Sequence, residues 1–176
     1  MNMHQPAVMS GFLSHRSRSE VVATLAPKAT ARLLEYAPGY YVALPTHTTL
    51  ELIEHPAIIA VPGSAYYGCG LLAWQECHLP VINVDTLLRA YQETPALGPP
   101  RYALVVAYQR APGNPLEHGA LALTALPETV EVGDDAWCAL PADSDIWPLL
   151  SLSCVQHARL AVPILDTARL FRSYHG

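Results

Sequence analysis

The sequence PVINVDTLLRAY occupies residues 80–91, and a related sequence, PILDTARLFRSY, occupies residues 163–174. The two stretches align without a gap, with four identical positions and five conservative pairs. Each predicts a short apolar strand, an Asn or Asp that can cap a helix, and a short helix with an apolar stripe. A repeated unit of this kind predicts two similar subdomains within one chain.

The length and composition predict one domain, which could consist of two lobes. Of the 176 residues, 51% are hydrophobic and only 14% are charged, which leaves ample apolar material for burial. The ten Lys and Arg residues form no basic stripe and the net charge is −5, so we expect no nucleic-acid binding. Apolar runs are too short to cross a bilayer, so we expect no membrane insertion.

The first residues lack the pattern of a signal peptide, and we therefore expect a cytoplasmic protein whose four cysteines stay reduced. Residues 1–35 are predicted to form a flexible N-terminal arm. Within it, residues 20–34 predict either a short helix on each side of Pro27 or a helix followed by a strand. Residues 36–176 are predicted to form the folded domain.

Short apolar runs alternate with Pro, Gly, Asn and Asp clusters along that domain. The candidate strands are residues 40–45, 58–61, 69–74, 78–84, 102–108, 116–125, 129–132, 149–155 and 160–165. Strands so short and closely spaced favour small barrels or sandwiches over a parallel sheet. The predicted fold class is therefore mainly β.

The sequence contains few patterns typical of catalytic or ligand-binding sites. The spacing of Cys154 and His157 occurs in zinc loops, but no second ligand pair accompanies it, so we expect no metal site. Phosphate-binding loops are absent, and we expect no cofactor and no catalytic residue. One alternative stays open, namely a small hydrolase or ligand-binding barrel that uses Cys154, His157 and Asp166.

The stretch GLLAWQECHLPVINV, residues 70–84, resembles the core signature of the CheW-like domain. That family typically shows Gly-Val-Ile-Asn-Leu-Arg-Gly-x-Val-Ile-Pro-Val-Ile-Asp-Leu, and the match here has no gap. Flanking similarity, including Val61-Pro62, extends the resemblance over about residues 36–174. It implies two small, intertwined, five-stranded SH3-like β-barrels with a few short helices.

The resemblance also implies a function. CheW-like domains have no enzymatic activity and bind no cofactor. In bacteria they act as adaptors that couple the cytoplasmic tip of a chemoreceptor to the regulatory domain of a CheA-type histidine kinase. General divergence from the family suggests a chemosensory system of type IV pili, which drive twitching motility.

The departures from the family pattern cluster at Ala73, Trp74, Gln75 and Glu76, where the family has Asn-Leu-Arg-Gly. Gln75 lacks the fixed charge of Arg, and Glu76 lacks the freedom of Gly to adopt a positive φ. We expect these four residues to form a protein-binding hairpin tip. Trp74 would either anchor a partner or fill the core, and we favour the core because Trp is usually well buried.

Overall fold

The computed structural model describes residues 28–90 and 98–172. Within these ranges the strands are β1 (Ala29–Ala37), β2 (Tyr40–Pro45), β3 (Thr49–Glu54), β4 (Ile58–Ile59), β5 (Gly68–Trp74), β6 (Cys77–Asn83), β7 (Tyr102–Tyr108), β8 (Glu117–Leu123), β9 (Glu128–Val132), β10 (Ser151–His157) and β11 (Leu160–Leu165). The helices are α1 (Val84–Arg89), α2 (Trp147–Leu150) and α3 (Thr167–Arg172). None of the described helices is long and apolar enough to cross a membrane.

The strands form two sheets that exchange elements between the two halves of the chain. One sheet has the order β9-β1-β2-β11-β10 and the other the order β3-β7-β8-β6-β5-β4. In each sheet, the second strand of a hairpin pairs in parallel with a strand from the other half: β2 with β11, and β8 with β6. All other pairings within the sheets are antiparallel. Neither half of the chain therefore completes a sheet by itself.

Both copies of the repeat form the predicted strand–cap–helix unit. In the first copy β6 leads into α1, and the side-chain oxygen of Asn83 accepts a hydrogen bond from the Thr86 N–H at 3.0 Å. In the second copy β11 leads into α3, and Asp166 accepts one from the Ala168 N–H at 2.9 Å. Such side chains satisfy N–H groups that have no partner inside the helix. The repeat therefore marks the same structural unit in both halves.

The central strands are buried on both faces. The largest apolar cluster takes side chains from both sheets and from all three helices, whereas two smaller clusters each lie within one sheet. In β8, Leu121 joins the large cluster, while Ala120 and Ala122 join the small one. Because neighbouring side chains on a strand point to opposite faces, two-sided burial produces the unbroken apolar runs seen in the sequence.

The first strand begins earlier than the sequence predicted. β1 starts at Ala29, and Leu33 and Leu34 are buried in it. Residues 29–35 thus belong to the sheet and not to a flexible arm, so the boundary at residue 35 was wrong. The alternative with a strand after Pro27 agrees with β1. The rest of the proposed arm, residues 1–27, lies outside the described residues.

Most predicted strands match the structure, and two differences have a clear cause. The bounds of β2, β7 and β11 agree with the prediction residue for residue. β3 was not predicted because most of its side chains are exposed and its apolar pattern is weak. β10 starts at Ser151 because the preceding residues form the short helix α2, in which Pro148 occupies an early position that tolerates proline.

Gly119 makes a close approach that a larger residue would prevent. An added Cβ at this position in β8 would overlap the ring of Phe171 in α3. That ring is stacked on Tyr108 of β7, with centroids 4.9 Å apart and planes 3° from parallel. The absence of a side chain at residue 119 is thus what lets α3 pack onto this sheet.

We expect Gly119→Ala to lower the free energy of unfolding by about 1–3 kcal/mol, because an overpacked core forces side chains and backbone apart. Urea denaturation measures this change. Phe171→Leu removes the ring atoms nearest to residue 119, so Gly119→Ala should cost less in that background. An equal cost in both backgrounds would show that the ring contact is not the cause.

Candidate protein-binding site

The hairpin of β5 and β6 ends in a two-residue turn. Trp74 and Cys77 form the last pair of the ladder, which leaves Gln75 and Glu76 as the turn. Gln75 adopts a φ of 52°, a left-handed conformation that costs a side-chain-bearing residue about 1–2 kcal/mol. Glu76 does not have a positive φ. The strain of the turn therefore falls on Gln75 and not on Glu76, the position at which the family pattern has glycine.

Trp74 is partly buried and belongs to none of the apolar clusters. Its indole Nε1 donates a hydrogen bond to the Glu51 carboxylate at 2.7 Å, and its ring centroid lies 5.3 Å from that of His118. The expectation of core packing for Trp74 was therefore wrong. The side chain instead links the end of β5 to β3 and β8.

This contact also reveals the curl of the sheet. β3 and β5 are four places apart in the strand order, yet the bond between Trp74 and Glu51 brings them together. A sheet whose distant strands meet in this way has the curvature of a barrel. The tip of the hairpin is consequently held by side chains on two other strands and is not a free loop.

The surface of the tip is polar. Ala73, Gln75 and Glu76 are exposed, and the Cys77 thiol donates to the Trp74 carbonyl at 3.2 Å. The carboxylates of Glu51 and Glu76 both belong to this region. The tip therefore presents a carboxylate, that of Glu76, next to the position at which the family pattern has an arginine and this chain has the neutral Gln75. Its shape and charge suit hydrogen-bond donors or cations on a partner.

The three residues of the alternative site do not come together. Cys154 and His157 lie three positions apart on β10, so their side chains point to opposite faces. His157 pairs with Leu160, whereas Asp166 lies beyond the other end of β11, about 20 Å away at ordinary strand spacing. The hypothesis of a hydrolase or ligand-binding barrel built on these residues was therefore wrong.

The surroundings of the same residues point to structural roles. Asp166 caps α3 and forms an ion pair with Arg169 at 3.2 Å. Burial, with a smaller effect of the neighbouring Cys138 thiol, raises the pKa of the Cys154 thiol to about 12. A thiol with such a pKa is a poor nucleophile at neutral pH, since the thiolate is the reactive form. In the described part of the chain, His, Cys, Asp and Glu side chains form no group of three suited to a metal ion.

The structure has a second exposed surface, a groove that the sequence did not predict. A groove of about 510 Å³ is lined by residues from the loop before β5 and from all three helices, among them Tyr66, Leu149, Arg169 and Arg172. Tyr66 and Leu149 are 59% and 66% exposed, which is high for large apolar side chains. Tyr66 lies in a loop, and Leu149 was predicted to lie in a strand, so no pattern indicated that the two side chains share a surface.

The hairpin of β10 and β11 resembles the hairpin of β5 and β6 in the strained conformation of its turn. His157 and Leu160 form its last pair, and its two turn residues, Ala158 and Arg159, have φ values of 47° and 69°. Two-residue hairpin turns favour Gly or Asn at such positions. Both repeated hairpins therefore end in turns that hold side-chain-bearing residues in a left-handed conformation.

Gln75→Gly and Glu76→Gly should differ in their effects on the free energy of unfolding. Glycine relieves the left-handed strain at residue 75, so we expect Gln75→Gly to be neutral or to stabilise the protein by up to about 1 kcal/mol. Glu76→Gly adds flexibility without relieving strain and should cost about 0.5–1 kcal/mol. Urea denaturation of the two single variants measures both. Stabilisation by Glu76→Gly alone would contradict the turn geometry described here.

Comparison with known proteins supports the fold. No protein-family model and no curated protein matches the sequence significantly. The structure is similar to the crystal structure of the scaffolding protein TtCheW from Thermoanaerobacter tengcongensis, with a TM-score of 0.66. The match covers 83% of this chain and 94% of that one, at 14% sequence identity. The chain thus has the fold of a CheW-like domain, which confirms the predicted class: mainly β, with curled sheets that form half-barrels and a few short helices. The predicted count of five strands per barrel fits one sheet, whereas the other has six because the short β4 adds to its edge.

Proposed function

We propose that this protein is a non-catalytic adaptor that couples chemoreceptors to a CheA-type histidine kinase. The observation that carries the proposal is the structural match to a scaffolding protein, which extends over almost the whole of that protein's chain. A fold alone does not define a function. The surface and the interior of this particular chain supply further support for the adaptor role.

The interiors of both barrels favour a surface-binding role. The small clusters inside the two sheets consist of packed apolar side chains, with Ala43 in one sheet and Val81 and Ala120 in the other each 0% exposed. A barrel filled in this way leaves no internal space for a ligand. Binding would then take place on the outside, as an adaptor requires.

The tip formed by Ala73, Trp74, Gln75 and Glu76 is our proposed contact surface. Because Trp74 is fixed by Glu51 and His118, the exposed residues beside it need little ordering on binding. A surface that is already ordered loses less conformational entropy when a partner docks. The partners would be the regulatory domain of the kinase or the cytoplasmic tip of a receptor, in the cytoplasm of a bacterium.

We further propose that the adaptor belongs to a chemosensory system of type IV pili. This assignment depends on the divergence from the family pattern at these four positions. An adaptor whose hairpin tip carries Gln75 and Glu76 in place of Arg and Gly would suit a specialised receptor and kinase. The neighbouring genes test this placement. Pilus genes beside the coding sequence would support it, and flagellar chemotaxis genes would contradict it.

Binding measurements with purified partners test the adaptor role. We expect the full chain to bind the regulatory domain of a CheA-type kinase from the same genome, a receptor tip fragment, or both, with a Kd of roughly 50 µM or tighter. Biolayer interferometry or calorimetry gives the affinity. Lack of binding to every CheA-type kinase and receptor of that genome would refute the proposal.

Charge reversal at the tip tests the contact surface. Glu76→Lys should weaken binding about 5–10-fold, because a rim charge that meets an opposite charge contributes mainly to association. The matched control is Glu128→Lys, which reverses an exposed carboxylate on β9. Equal effects of both variants would show that the tip is not the contact surface.

The double variant Gln75→Arg/Glu76→Gly restores the family residues at the turn. We expect it to change the affinity for at least one partner, since Arg supplies a planar cationic group that Gln lacks. Circular dichroism should first confirm that the variant is folded. An unchanged affinity for kinase and receptor alike would argue against a contact through this turn.

A further inference from the structure

The segment that follows β9 pairs with the edge of a sheet and brings two cysteines together. Trp137 forms an antiparallel bridge with Val155 of β10, and β10 is the outermost strand of its sheet. In that register Cys138 lies directly opposite Cys154. The Cys138 N–H accordingly donates to the Cys154 carbonyl at 3.0 Å.

The two thiols are close enough to react with little rearrangement. Their sulfur atoms are 3.3 Å apart. Directly opposite residues on antiparallel strands have Cα atoms about 4.5–5.5 Å apart, which falls within the range of about 4.4–6.8 Å found for disulfides. A rotation of the side chains can therefore bring the sulfur atoms to bonding distance while the strands stay in register.

The two cysteines differ in access to solvent. Cys154 is 1% exposed, whereas Cys138 is partly exposed. A small disulfide in solution can therefore reach Cys138 but not Cys154. The other two cysteines, Cys69 and Cys77, lie on neighbouring strands but are not paired in register.

We propose that Cys138 and Cys154 form a reversible intramolecular disulfide by exchange with a low-molecular-weight disulfide such as oxidised glutathione. The Cys138 thiolate attacks one glutathione sulfur, which forms a mixed disulfide and releases one glutathione thiolate. Cys154 then gives up its proton and attacks the Cys138 sulfur, which releases the second glutathione as its thiolate. The 3.3 Å between the two sulfur atoms offsets the small thiolate fraction of the buried Cys154, because the attack is intramolecular. The protein loses two hydrogen atoms, and one glutathione disulfide becomes two glutathione thiols.

The bond would fasten the segment between β9 and β10 to the edge of the sheet. That segment contributes Pro141 and Asp143 to a groove beside Tyr40, and it leads into Trp147, which is 1% exposed. A disulfide that closes a loop of this length restricts the unfolded chain. The modification is independent of the proposed adaptor role and depends only on the two facing thiols.

Peptide mapping of the full chain tests the proposal. The protein is incubated in glutathione buffers of increasing oxidised fraction, free thiols are alkylated, and the digest is analysed without reduction. Trypsin is unsuitable because the sequence has no Lys or Arg between Arg110 and Arg159. A protease that cleaves at aspartate separates the two cysteines, since Asp143 and Asp145 lie between them.

We expect a peptide pair linked through Cys138 and Cys154, which disappears on reduction. Exposed Cys77 is the internal control and should carry glutathione without forming a link. Cys154→Ala should trap glutathione on Cys138, and Cys138→Ser should leave residue 154 unmodified. Wild-type protein with glutathione on Cys138 but no link to Cys154 would overturn the proposal, as would links that form only after denaturation.

A thermal measurement adds a second readout that does not need a variant. Oxidation of the wild-type protein should raise its Tm by about 5–10 °C relative to the reduced form. The same treatment should leave the Tm of Cys138→Ser unchanged. A Tm that rises equally in both proteins would show that the stabilisation comes from elsewhere.

Discussion

The structure depends on two parallel strand pairings, β2 with β11 and β8 with β6, that join opposite halves of the chain. Each pairing supplies the hydrogen bonds of a central strand that has apolar side chains on both faces. Val42 and Leu44 contribute to the shared core while Ala43 between them faces the interior of its own sheet. Because the two barrels share this core and exchange strands, each stabilises the other, and we infer that they unfold as one cooperative unit.

The same arrangement separates packing from recognition. The central strands have no exposed face, so exposed side chains concentrate on turns, edge strands and the short helices. The hairpin tip at residues 73–76 is one such turn, and Trp74 connects it to β3 and β8 by a hydrogen bond and a ring contact. This connection makes the orientation of the tip a property of the whole barrel, and not of the two-residue turn alone.

Local features could be predicted from the sequence, and long-range ones could not. Asn83 and Asp166 identify the capped helices because capping involves residues only a few positions apart. The position of Trp74 depends on Glu51 and His118, which are distant in sequence, and no periodicity reveals such a contact. Likewise, Cys154, His157 and Asp166 form a plausible trio on paper, but strand alternation and register keep them apart. The exposed β3 was missed because it lacks the strong apolar pattern of the central strands.

The exchange of strands has a consequence for synthesis of the protein on the ribosome. Ala43 of β2 pairs with Ile164 of β11, more than a hundred residues later. Until that late strand leaves the ribosome, the hairpin of β1 and β2 has an open edge and uncovered apolar faces. Such unpaired edges are prone to association with other chains. The nascent chain therefore exposes this unpaired edge during much of its synthesis, and the edge is covered only after the second copy of the repeat has been made.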